Sequence, residues 1–191
     1  IILLFIIIVL SFKKLNFNAS FLATKIRPDN EFGRILNKIA RFLAIFGGFV
    51  LLTAALISLL SIFGRVVFSS PILGDFELVE IACAVSIGSF LPLCHLKNGN
   101  VIVDFITAKL SKRKINILDA ISSFIFGSVA LFFSCRMILG AQDMYLYREE
   151  TMLLAFPIWI PFLPVIISFF LLSMCCFYTF ILKISAILGR D

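Results

Sequence analysis

The sequence is poor in the residues from which catalytic and metal centres are usually assembled. Among 191 residues there is one histidine and one tryptophan, and only 15% of the chain is charged, against about 25% in an ordinary soluble domain. A lone histidine excludes a haem held between two histidines of this chain and a multi-histidine metal site. The five cysteines, Cys83, Cys94, Cys135, Cys175 and Cys176, lack CxxC or other ligand spacing and lie in apolar runs. They read as free thiols acting as small hydrophobes. A glycine-rich phosphate loop and a nucleophile with a partnered base are also missing, so no cofactor and no catalytic residue are expected.

What the chain has in excess is apolar surface. It is 61% hydrophobic, carries 23 phenylalanines and has a mean hydropathy of +1.11, more than a water-soluble core of this size can hide. The expectation is an all-α integral membrane protein with four transmembrane helices, at about 42–63, 76–96, 115–140 and 156–182. Each is long enough for the roughly 30 Å hydrocarbon layer. The net charge of +6 comes from basic residues flanking these runs, which marks a membrane side and excludes nucleic acid as the partner. Of the seventeen Lys and Arg, only Arg65, Arg136 and Arg148 fall on one side. Both termini are therefore expected in the cytoplasm, with the chain multi-pass in a bacterial inner membrane.

Two further segments read as interfacial helices. In "PDNEFGRILNKIARFL", Phe32, Ile35, Leu36, Ile39 and Phe42 recur at helical spacing beside Arg34, Lys38 and Arg41, the pattern of a basic amphipathic helix drawn to anionic membrane lipid. "NGNVIVDFITAKL", residues 98–110, opens on a turn signal and fits a short surface helix between the second and third spans, or a plain loop. The layout is thus an N-terminal segment 1–41, a membrane domain 42–182 and a cytoplasmic tail 183–191. Residues 1–12 are too short for a comfortable span and fit equally a truncated crossing, an interfacial segment or non-native sequence.

Charge inside a membrane asks for a function because it is costly at a helix centre, at least about 2.5–3.5 kcal/mol. All four span centres lack it. Glu77 and Glu80 share a face in the first turns of the second span, where the helix dipole favours anions and Asp75 is placed to cap. Asp119 has Lys112, Arg113 and Lys114 nearby to neutralise it, and Arg136 can snorkel outward. His95 closes the second span as an interfacial polar residue, one turn after Pro92, which is expected to kink the helix. Gly47 and Gly48 on the first span, and Ser86, Gly88 and Ser89 on the second, form small-residue patches suited to close helix packing. In "GRVVFSSPILGDFELVE", residues 64–80, Arg65 closes one helix, Pro71 shapes the turn, and Glu77 is placed for helix stabilisation or a subunit contact.

These blocks resemble the small membrane subunit, DctQ-type, of tripartite ATP-independent periplasmic (TRAP) transporters. Arg65, Phe68, Ser70, Pro71, Glu77 and Leu78 match the family's first block, while Lys97, Gly99, Val103, Asp104 and Phe105 match its second. Pro157, Trp159 and Pro161 match the Pro-Trp-Pro opening of the fourth span. The sequence departs at Gly74, Phe76 and Asn100, where the family more often has tryptophan, glutamate and histidine. The resemblance implies a non-catalytic scaffold for a large permease subunit that carries the substrate and sodium sites and moves like an elevator. It also implies a periplasmic substrate-binding protein as third partner, and organic anions such as carboxylates or sialic acids as substrates. The alternative reading of the residues is a self-sufficient exporter, in which Glu77 and Glu80 of a homodimer exchange protons for cationic compounds.

Overall fold

Four long, mostly apolar runs give four helices. The computed structural model describes residues 31–70, 72–97 and 112–187, with backbone alone at 112, 113 and 186. They form α1 (Glu31–Phe68), α2 (Asp75–Leu96), α3 (Lys112–Leu146) and α4 (Trp159–Ile187), each long and apolar enough to cross a membrane. No strand occurs among the described residues; one isolated bridge pairs Glu150 with Pro157. The protein is all-α, with four membrane-spanning helices. Pro71, Asp104 and the whole 98–110 segment lie outside the described residues.

Helix ends depart from the apolar runs for identifiable reasons. The basic amphipathic turns before the first span run into it as one helix, with no break from Glu31 to Phe68. At 1.5 Å per residue its 38 residues extend about 57 Å. Beyond Phe68 the chain turns through Ser69 in the left-handed region, and the Ser70 N–H donates to the Gly64 carbonyl at 3.3 Å. α4 begins at Trp159 rather than 156 because Pro157 is held in the bridge to Glu150. α2 continues through Pro92 to Leu96.

The helices pack as an open layer in the order α1, α2, α4, α3. α4 lies between α2 and α3, and α1 packs chiefly on α2, meeting α4 near its own first turns. The outer helices bury narrow seams of mostly small residues. On α1 the buried positions include Gly33, Ala40, Gly47, Ala54 and Ser61, seven residues apart, plus Leu36. On α3 they are Ala120, Ser123, Gly127, Ala130 and Ser134, alternating three and four apart. A repeat of 3.5 keeps one stripe facing a single neighbour along a long helix. In lipid, where apolar side chains gain nothing by leaving the solvent, backbone proximity carries the packing.

The contacts fit that account. A Cβ on Gly47 would lie 2.7 Å from the Ser89 Cβ and 3.2 Å from the Ser86 carbonyl, so the small patches expected on the first two spans meet each other. Gly88 faces Val165 of α4 instead. Across the α3–α4 seam the Ser173 hydroxyl donates to the Gly127 carbonyl at 3.0 Å. Ser86, Ser89 and Ser168 donate to carbonyls one turn back in their own helices, which satisfies hydroxyls that have no water to bond. Cys175 and Cys176 are fully buried and pack among apolar neighbours.

Two polar residues meet partners on other helices. Asp119 pairs with Lys183 of α4 at 2.9 Å, because the α3–α4 seam brings that ammonium alongside; Asn116 accepts from it at 3.4 Å. His95, next to the last residue of α2, is buried against the bundle, with its ring 5.8 Å from that of Phe126. Lys183→Met should cost about 1 kcal/mol, since the carboxylate is half exposed and the pair partly screened. A double-mutant cycle with Asp119→Asn in detergent unfolding measures that coupling; additive losses would show that the pair contributes nothing.

Candidate functional site

Asp75 and Glu77 lie at the end of the layer that carries the α1–α2 turn and the α3–α4 loop. α3 stops in a Schellman arrangement: Arg148 takes a positive φ of 52°, and the Glu149 N–H donates to the Met144 carbonyl at 3.0 Å. The chain then makes a short hairpin. The Ile158 N–H bonds the Glu149 carbonyl at 3.1 Å, and the Thr151 N–H bonds the Phe156 carbonyl at 3.0 Å. The Thr151 hydroxyl accepts from the Phe156 N–H at 3.2 Å. Bonded this way, the loop leaves the amides of Leu153 and Leu154 turned outward.

Glu77 meets them. Its Oε1 accepts from the Leu153 N–H at 2.9 Å, and its Oε2 from the Leu154 N–H at 3.1 Å. Two successive amides around one carboxylate make a small anion nest whose anion comes from the protein itself. Backbone groups of a loop at a membrane edge are thereby satisfied by a side chain in the first turn of α2. Gly74 completes the latch. It sits at φ 77°, and a Cβ there would come within 2.5 Å of the Leu154 Cγ. Both the left-handed backbone and the leucine packed over it require glycine.

Asp75 does something other than cap α2. The N-cap is Gly74, without a side-chain cap bond. Asp75, one residue further in, accepts from the Ser61 hydroxyl of α1 at 2.6 Å and from the Phe76 N–H at 2.9 Å. The tight left-handed turn at Gly74 aims the carboxylate back across the seam, toward a serine that is fully buried. Arg65 is exposed in the last turn of α1, where a cation suits the dipole. Ser70 ends that helix through the bond described above. Trp159 packs edge-on against Tyr145, ring centroids 5.5 Å apart, beside an open depression of about 380 Å³ lined also by Arg148, Glu149 and Glu150.

Of the candidate residues, Arg65, Ser70, Asp75, Glu77 and Trp159 thus lie at one end of the layer, with Asp75 and Glu77 forming its two ties. Glu80 is exposed on the next turn. The 151–156 loop is the component that sequence reasoning missed. Its contribution is backbone amide, so residue identity gives little sign of it. The available signal was a first-turn glutamate in the second span together with a proline-bounded loop preceding the fourth.

A family model described as "Tripartite ATP-independent periplasmic transporters, DctQ component" matches residues 54–186, from the middle of α1 to the end of α4, including the latch. Neither the curated proteins nor the solved structures give a match.

Proposed function

The chain belongs to the DctQ family, a membrane component of tripartite ATP-independent periplasmic transporters, and from that premise we propose that it is the non-catalytic small permease subunit of a secondary transporter for organic anions. Its partners are a large permease subunit, sodium-coupled and elevator-like, and a periplasmic substrate-binding protein. In this reading the protein resides in the bacterial inner membrane with both termini cytoplasmic, so the latched end faces the periplasm. Its role is to hold the stationary part of the complex.

The observation that carries this reading is that the layer is tied between helices at both ends. Glu77 joins α2 to the α3–α4 loop at one end, and Lys183 joins α4 to α3 at the other. A fixed layer suits a scaffold better than an element that must open and close around a substrate. The exporter reading needs a carboxylate available to exchange protons in the membrane. Glu77 has both oxygens engaged by loop amides, which speaks against that use.

The test is flux. Purified chain alone in liposomes is expected to give no substrate-dependent or proton-coupled transport, and uptake is expected only after co-reconstitution with the large permease and binding protein. Transport by the lone chain would sink the scaffold reading.

A further inference from the structure

The first turns of α1 have three distinct faces. Gly33, Leu36 and Ala40 are buried, with Leu36 and Ala40 against Leu171, Cys175 and Tyr178 of α4. The Phe32 ring lies 5.8 Å from that of Tyr178. Nearly opposite the buried face stand Arg34, Lys38 and Arg41, all exposed and spaced by four and three residues. Between the two runs an exposed apolar stripe of Ile35, Ile39 and Phe42. These turns are therefore docked to the bundle and collinear with the span that follows.

Collinearity fixes the depth of the cations. Arg41 immediately precedes the charge-free run 42–64, so it sits where the hydrocarbon ends. Lys38 and Arg34 then lie about 4.5 and 10.5 Å further out along the axis. The headgroup layer of each leaflet is roughly 5–8 Å deep, so Arg41 and Lys38 lie within it and Arg34 just beyond, where its long side chain reaches back to the headgroups. Among the described residues the one ion pair is Lys183 with Asp119, and the sole carboxylate on these turns, Glu31, makes no ion pair with the three cations. No carboxylate among the described residues pairs with these cations, and the neighbouring stripe is apolar.

We propose that the Arg34, Lys38 and Arg41 stripe, with Ile35, Ile39 and Phe42 beside it, is a binding site for an anionic phospholipid. The phosphodiester sits among the three cations, and an acyl chain lies along the apolar stripe toward the bilayer centre. A lipid is the occupant because charge and apolar surface adjoin at headgroup depth on a helix that enters the membrane; a soluble anion would leave the apolar stripe uncovered. This inference is independent of the transport role proposed above.

The experiment uses the full chain in nanodiscs of phosphatidylcholine with a minority of phosphatidylglycerol, counting retained lipids of each kind by native mass spectrometry. The wild type should retain phosphatidylglycerol preferentially, with the preference falling as salt is raised. The triple variant Arg34→Gln, Lys38→Gln, Arg41→Gln should lose roughly ten- to a hundredfold of it, while Lys97→Gln with Lys114→Gln should keep it. Should the triple variant misfold, Lys38→Gln and Arg41→Gln singly should each lower the preference. No preference in the wild type, an unchanged one in all three Gln variants, or an equal loss in the Lys97 and Lys114 control would overturn the proposal.

Discussion

Gly47→Ile should pry α1 away from α2 and destabilise the protein by about 1–3 kcal/mol, the usual cost of overpacking a filled seam. The Cβ alone would approach the Ser89 Cβ to 2.7 Å and the Ser86 carbonyl to 3.2 Å. Neither neighbour is the far end of a flexible chain, so the helices themselves must shift. That shift strains the Ser61 to Asp75 bond further along the same seam. Gly140→Ile is the matched control, since nothing lies within 4 Å of a Cβ at that position. Thermal unfolding in detergent measures both. Equal midpoints for the two variants would mean that the small-residue seam does not hold the layer together.

Glu77→Ala should release the α3–α4 loop and weaken assembly with the large subunit before it alters substrate selectivity. The substitution leaves the Leu153 and Leu154 amides without their acceptor. Hydrogen exchange at these two amides should therefore quicken several-fold, while α2 and α4 keep their protection. Glu77→Gln, which preserves size and one carbonyl acceptor, should fall between the two. Recovery of the complex by affinity purification reads the assembly effect directly. Normal recovery with changed selectivity would instead place Glu77 in substrate handling.

The legible and illegible parts of the molecule separate by the kind of interaction involved. Four spans were readable because each is a long apolar run that only a helix can carry through lipid. Gly47, Ser86 and Ser89 were readable as packing residues because small side chains stand out among phenylalanines and leucines. The α3 seam follows the same rule through Ser123 and Ser134: in a helix apolar on every face, the contact stripe is marked by size, not by polarity. Asp75 does not cap α2, because its position one residue inside the helix depends on the left-handed turn at Gly74, and the Lys183 partner of Asp119 is hidden from sequence because it lies 64 residues away. The family resemblance, carried by the order of Arg65, Ser70, Glu77 and Trp159 along the chain, needed none of these details.

The length of α1 has a mechanical consequence. Over residues 42–64 the helix carries no charge, an apolar length of about 34 Å against a hydrocarbon thickness near 30 Å. The charge-free run of its neighbour α2, residues 81–96, extends only about 24 Å. Because the seam locks the two together, α1 cannot lean over by itself. The surrounding lipid must thicken along that edge, or the pair must tilt and leave α2 short. At fractions of a kcal/mol per Å, an excess of about 4 Å stores about 1–2 kcal/mol of elastic energy in the bilayer. A partner with equally long spans, laid against α1, relieves that deformation, so membrane elasticity itself favours assembly at this edge.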